Sequence, residues 1–106
     1  MSELEIDIET RVILAASAAG HRLFKNKVGV RRTLKSYVKL GIGGDGAPDL
    51  WGWTKDGYAV LIEMKKPGKK PTKDQNDWRE AALKSCPTLR IGWADSVEGA
   101  MKVLEG

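Results

Sequence analysis

Two apolar runs joined by a tight-turn signature constrain this chain more than any other feature. "PDLWGW" (residues 48–53) and "YAVLIEMK" (residues 58–65) are rich in aromatic and β-branched residues, and they flank "TKDG", whose Asp56-Gly57 pair is a strong hairpin signal. The two runs are therefore expected to pair antiparallel, with the rest of a sheet built around them. The second run ends in Glu63, Met64 and Lys65, which puts charge at the end of an otherwise buried strand. Side chains alternate along a strand, so Glu63 and Lys65 share one face while Ile62 and Met64 share the other.

The turn decides what Glu63 meets. With a three-residue loop, Lys55-Asp56-Gly57, and the glycine in the left-handed position, Thr54 pairs with Tyr58 and Asp49 falls opposite Glu63. A two-residue loop sets Met64 opposite Asp49 instead. In the first register two carboxylates and an amine converge at one end of the sheet. Paired carboxylates repel, and a divalent cation between them, Mg2+ or Mn2+, relieves the repulsion. Water on such an ion is more acidic than bulk water, and the adjacent ammonium can orient it and offset charge developing on a phosphoryl oxygen. That is machinery for phosphodiester hydrolysis. Glu-x-Lys alone is the pattern of a solvated strand end; Pro48-Asp49, fourteen residues before Glu63, makes it a candidate site.

Around this hairpin the periodicity predicts a helix from Ile6 to Ala19 with Ile8, Val12, Ala15 and Ala19 as its core stripe, ended by Gly20. "HRLFKNKVGVRRTLKSYVKLGIGG" alternates apolar and basic residues and suggests one or two strands before a glycine-rich turn. "TKDQNDWREAALKS" reads as a helix that stops before Pro87, "TLRIGWA" as a short strand, and Ser96 as the cap of a last helix through Leu104. The predicted order is α-β-β-β-α-β-α, an α/β fold with a mixed sheet flanked by helices. With 106 residues it is expected to be one domain, residues 1–106.

Hydrophobic residues at 42% and charged residues at 30% give the balance of a globular protein, not a disordered tail. The net charge of +4 favours a polyanionic partner, and its distribution is uneven. Residues 22–40 hold seven basic side chains (Arg22, Lys25, Lys27, Arg31, Arg32, Lys35, Lys39) and no acidic ones, whereas the first nine residues hold Glu3, Glu5, Asp7 and Glu9. The lone Cys86 excludes an internal disulfide and leaves no zinc or haem motif, which fits a reducing cytoplasmic setting. The acidic start does not read as a signal peptide, and "VILAASAAG" is too short to span a bilayer, so no membrane association is expected.

"GAPDLWGW" followed by "LIEMKKPGKKPTKDQNDW" resembles the virus-type replication-repair nuclease (VRR-NUC) domain, a branch of the PD-(D/E)XK nuclease superfamily that is similar to archaeal Holliday junction resolvases. The resemblance runs from the first helix to the last strand. It rests on Pro48-Asp49, Glu63-x-Lys65, the "PGKKPT" turn, and Gln75 followed by Trp78; "FKNKVG" is similar to the family's basic segment after the first helix, with Lys25 where arginine is commoner. The resemblance implies a restriction-endonuclease-like fold in which Asp49, Glu63 and the main-chain carbonyl of Met64 hold Mg2+ or Mn2+, and Lys65 assists catalysis. It also implies an acidic ligand from the first helix, for which Glu9 is favoured over Glu5; the two lie one turn apart on one helix face. The helix-dipole preference for acidic first turns accounts for either one equally well.

Gln75 closes a Ser/Thr-x-x-Glu/Gln capping box with Thr72, and the resemblance implies that it also borders the active site as a catalytic residue. Lys66, Lys69, Lys70 and Lys73 follow the catalytic lysine and, with Lys25, Lys27, Arg31 and Arg32, are expected to contact phosphate backbone. His21 reads as a packed or solvated histidine. Trp51, Trp53, Trp78 and Trp93 read as core or dimer packing ahead of base stacking. The expected function is a metal-dependent DNA endonuclease, selective for branched DNA or Holliday junctions, acting as a homodimer, with a phage origin implied by the family. A nucleic-acid-binding module and a nuclease subunit targeted by another protein are the alternatives.

Overall fold

The computed structural model describes residues 7–26, 30–32, 37–39 and 46–106. The elements in chain order are α1 (Ile8–Ala18), β1 (Arg22–Lys25), β2 (Val30–Arg32), β3 (Tyr37–Lys39), β4 (Leu50–Trp53), β5 (Ala59–Met64), α2 (Lys73–Ser85), β6 (Arg90–Ala94) and α3 (Val97–Glu105). β1, β4, β5 and β6 form one sheet in that order. β1–β4 and β4–β5 are antiparallel, and β5–β6 is parallel across the α2 crossover, so the sheet is mixed and the fold is α/β.

Among the described residues three strands, not one or two, occupy the basic region after α1. Of these, β2 and β3 pair with each other as a two-stranded sheet distinct from the main one, so the predicted four-strand order describes the main sheet and omits this ribbon. Lys27 lies outside the described residues, as does Glu5.

α1 begins at Ile8, later than predicted, because Asp7 caps it: its Oδ1 accepts from Thr10 N at 2.8 Å. The buried stripe is also shifted. Val12 and Ala16 are fully buried with Ile8 and Ile13 packed beside them, whereas Ala15 is half-buried and Ala19, already in the C-cap, is exposed. Val12 and Ala16 lie i, i+4 on one face, which is the line a helix presents to a flat sheet.

The core lies between one sheet face and helices α1 and α3. Leu23, Leu50, Val60, Ile62 and Ala94 meet Val12, Ala16, Ala100 and Leu104 there. Each fully buried Leu, Ile or Val contributes about 1.5–3 kcal/mol. α2 stands on the opposite face, against β6. Among the described residues, no helix is long and apolar enough to cross a membrane.

The turn between β4 and β5 has the three-residue form. Thr54 N donates to Tyr58 O at 2.8 Å, Gly57 N donates to Thr54 O at 3.0 Å, and Gly57 has φ +90°, a conformation in which a side chain would be strained. The ladder then pairs Trp53 with Ala59 and continues to Leu50 with Ile62. One more step puts Asp49 opposite Glu63.

Candidate active site

Asp49 is fixed by its neighbours on both sides. Its backbone oxygen accepts from Asn26 N at 2.7 Å beyond the end of β1, and its Oδ2 accepts from Met64 N at 3.1 Å. Gly46, three residues earlier, comes so close to the backbone of Asp74 and Gln75 that a Cβ could not be accommodated. The chain entering β4 is thus pinned to the first turn of α2.

Pro48 has a related role. In this register it stands opposite Met64 at a hydrogen-bonded ladder position, but proline has no N–H to give. Its own oxygen accepts from Asn26 Nδ2 at 3.0 Å, and Met64 N goes to the Asp49 side chain. The N–H and C=O of one strand residue point the same way, so the Met64 carbonyl is aimed toward β4 where Pro48 offers no donor.

Glu63 is only 9% exposed. Its Oε1 accepts from Gln75 Nε2 at 3.0 Å, while no donor among the described residues reaches the buried Oε2. Burial, then the charge of the facing Asp49 and a hydrogen bond of the protonated Glu63 carboxyl with it, push its pKa up to about 8, with Lys65 pulling the other way. Glu9 belongs to the same electrostatic group. Its pKa is raised, first by burial and then by Asp49, and its charge in turn raises that of Glu63. Glu9 and Lys65 line an open groove of about 340 Å³ with Ile8, Met64, Lys66, Pro67 and Asp95.

Gln75 holds two positions at once. Its Nε2 reaches Glu63 while its Oε1 accepts from Thr72 N at 2.8 Å, and Thr72 Oγ1 accepts from Gln75 N at 3.2 Å, completing the capping box. The cap therefore fixes the rotamer that presents the amide to Glu63.

Among the described residues no three His, Cys, Asp or Glu side chains converge as a metal-holding group. The donors present are a carboxylate pair, with Glu9 in electrostatic range and the Met64 carbonyl alongside. A hard divalent cation suits them: an orphaned, buried carboxylate oxygen beside a second carboxylate lacks the positive charge that such an ion carries.

The basic residues divide into groups. Lys66, Lys69 and Lys70 are exposed on the turn between β5 and α2. Lys25 is engaged with Asp7 at 3.0 Å and Lys73 with Asp77 at 2.7 Å. Arg31 and Arg32 are on β2. His21 is buried, with Nδ1 accepting from Lys55 N at 3.0 Å, which ties the α1–β1 junction to the β4–β5 turn.

Asp95 and Arg79 belong to no sequence motif. Asp95 follows β6 and joins the groove of Lys65. Arg79, one turn beyond Gln75, lines a small cavity with Glu63 and has a buried Nε without a hydrogen-bond partner. The i, i+4 spacing from Gln75 was the only available signal for Arg79.

No family model matches this chain, and neither a curated protein nor a solved structure matches it.

Proposed function

We propose that this chain is a metal-dependent endonuclease of the VRR-NUC type that hydrolyses DNA phosphodiester bonds, selectively at branched or four-way structures, as a cytoplasmic homodimer. The observation that carries this reading is the Asp49–Glu63 pair: two opposed carboxyl groups, with Glu63 buried and its Oε2 met by no donor among the described residues, beside Lys65 on the same strand face. Asp49, Glu63, the Met64 carbonyl and Glu9 would hold Mg2+ or Mn2+. The ion would supply Lewis acidity for the phosphoryl group and lower the pKa of water at the site.

The protein's own residues account for the rest. Gln75 orients the Glu63 carboxylate, the Met64 amide orients that of Asp49, and Lys65 offsets negative charge gathering on a non-bridging phosphoryl oxygen. Lys66, Lys69 and Lys70 hold the flanking phosphates without reading bases, so the shape of the DNA governs selection. Two nicks placed symmetrically about a branch point require two such sites, which a two-fold dimer supplies.

The test is cleavage of linear, flapped and four-way DNA with and without Mg2+ or Mn2+, with light scattering on the same sample. Junction cutting by a dimer, abolished in Asp49→Ala and in Glu63→Ala while both variants keep the wild-type circular dichroism spectrum, is the expected result. Wild-type rates from either variant would remove the mechanism. A monomer that nicks linear duplex as fast as junctions would remove the junction selectivity and the dimer but leave the nuclease.

A further inference from the structure

The proposed chemistry leaves unused the aromatic residues of its own sheet face. Along β4, Asp49, Trp51 and Trp53 share that face, so ring positions begin about 7 Å from the carboxylate pair and end about 14 Å from it. Phe24 on β1 is opposite Trp51. Ring centroids are 5.2 Å apart for Phe24–Trp51, 5.5 Å for Phe24–Trp53 and 6.4 Å for Trp51–Trp53, with planes tilted by 35°, 48° and 63°. Yet Phe24 is 41% exposed and Trp53 47%. Each ring props the next, so the open ring faces are fixed in advance and little side-chain freedom is left to lose on docking. An exposed aromatic cluster of this kind marks a surface that something covers.

Two occupants have suitable chemistry: a second copy of the chain, or unstacked nucleobases. Geometry separates them. A stable protein interface takes about 800 Å² from each partner, a disc of roughly 16 Å radius, and one centred on these rings would extend over Asp49 and Glu63 and seal them. A nucleic-acid strand laid along β4 uses the rings and the carboxylates together. Arg22 on β1 stands opposite Trp53 at the end of the ring cluster remote from the carboxylates, and Lys65 follows Glu63 on the same face at the other end, so phosphates at both ends of the ring cluster meet cations.

We infer that Phe24, Trp51 and Trp53 form a stacking platform for unpaired nucleotides flanking the phosphodiester held at Asp49 and Glu63. The inference rests on the nuclease reading for its direction, and within the branched substrates proposed above it narrows the choice to those with unpaired nucleotides beside the cleaved bond, a flap ahead of a fully paired four-way junction.

The test is binding of a fluorescein-labelled oligothymidylate and of a fully paired duplex of equal length by the full chain, in EDTA so that nothing is cut. Trp53→Leu and Phe24→Leu each weaken single-strand binding about five- to 100-fold and leave duplex binding within about two-fold. Trp53→Phe, which keeps a ring, retains most of the affinity, and tryptophan emission of the unmodified protein is quenched by the single strand and not by the duplex. Unchanged single-strand affinity in both leucine variants, equal loss on single strand and duplex, or conversion of a dimer to monomer at unchanged single-strand affinity overturns the platform; the last result assigns the face to self-association. Should a leucine variant fail to fold, the quenching contrast and Trp53→Phe still decide. Mn2+-dependent cleavage measured in parallel separates the two readings: stacking without cleavage refutes the nuclease alone, and cleavage without stacking refutes the platform alone.

Discussion

Glu63 holds its proton far above the range usual for a glutamate because burial and Asp49 both oppose its ionisation. The folded state has the raised value, about 8 against the 4.5 of an unburied glutamate, so between those values it keeps a proton that the unfolded chain has lost. Stability therefore falls as pH rises from about 4.5 to 8, and the loss is complete above 8. Glu63→Gln removes this slope. Thermal melts at about pH 5 and about pH 9 should show a smaller drop in Tm for the variant than for the unmodified protein, and a higher Tm for the variant at the alkaline end. A second pair of substitutions separates chemistry from affinity. Lys65→Ala should lower turnover by about 10²-fold or more with little change in DNA binding, because in the proposed mechanism it would act on charge that develops during reaction. Lys69→Ala combined with Lys70→Ala should weaken binding and flatten its dependence on salt by about two units of slope. The reverse pattern would mean the two lysine groups have exchanged roles.

The elements differ in how far local sequence could define them. The β4–β5 hairpin was legible down to its alternatives because Asp56-Gly57 and two alternating runs act locally; Thr54–Tyr58 pairing then fixed which alternative holds. α2 was legible from Thr72 and Gln75, yet the contact of Gln75 with Glu63 joins residues 12 apart and could be reached only through resemblance. α1 was misjudged by one position in its stripe, since Ala15, Ala16, Ala18 and Ala19 are too alike for composition to say which face the sheet covers. The β2–β3 ribbon was missed as a separate unit: short basic strands pair with one another on grounds that alternation does not express. The double role of Gln75 can be dissected. Gln75→Glu preserves a capping box but replaces a donor with a third carboxylate beside Glu63, so it should cut cleavage severely while α2 stays formed. Thr72→Ala removes the cap at a cost of about 1 kcal/mol, roughly 4–8 °C in Tm for a small domain, with a lesser effect on cleavage. Circular dichroism melts alongside cleavage rates distinguish the two.

Across the whole molecule, one sheet face is closed by α1 and α3 while the other holds the carboxylates, the exposed rings and α2. The closed face contains the apolar stripe that alternation predicts. For the tryptophans of the open face, strand periodicity says which residues share a face and not whether anything covers them. The position of the carboxylate pair on a single hairpin also bears on the order of assembly. Asp49 and Glu63 are brought together by closure of a short loop, an event of microseconds, whereas β6 and the Gln75 amide arrive only when the parallel crossover docks. The cost of bringing Glu63 against Asp49, met by taking up a proton below about pH 8 and by repulsion above it, thus burdens the earliest step of folding instead of the last. An ion held by the pair would lower the barrier to folding as well as deepen the native well, so stopped-flow refolding in Mn2+ should be faster than in EDTA by a factor that Asp49→Asn abolishes. If Mn2+ only slowed unfolding, the pair would be closing after the transition state, and the hairpin would not be the nucleus.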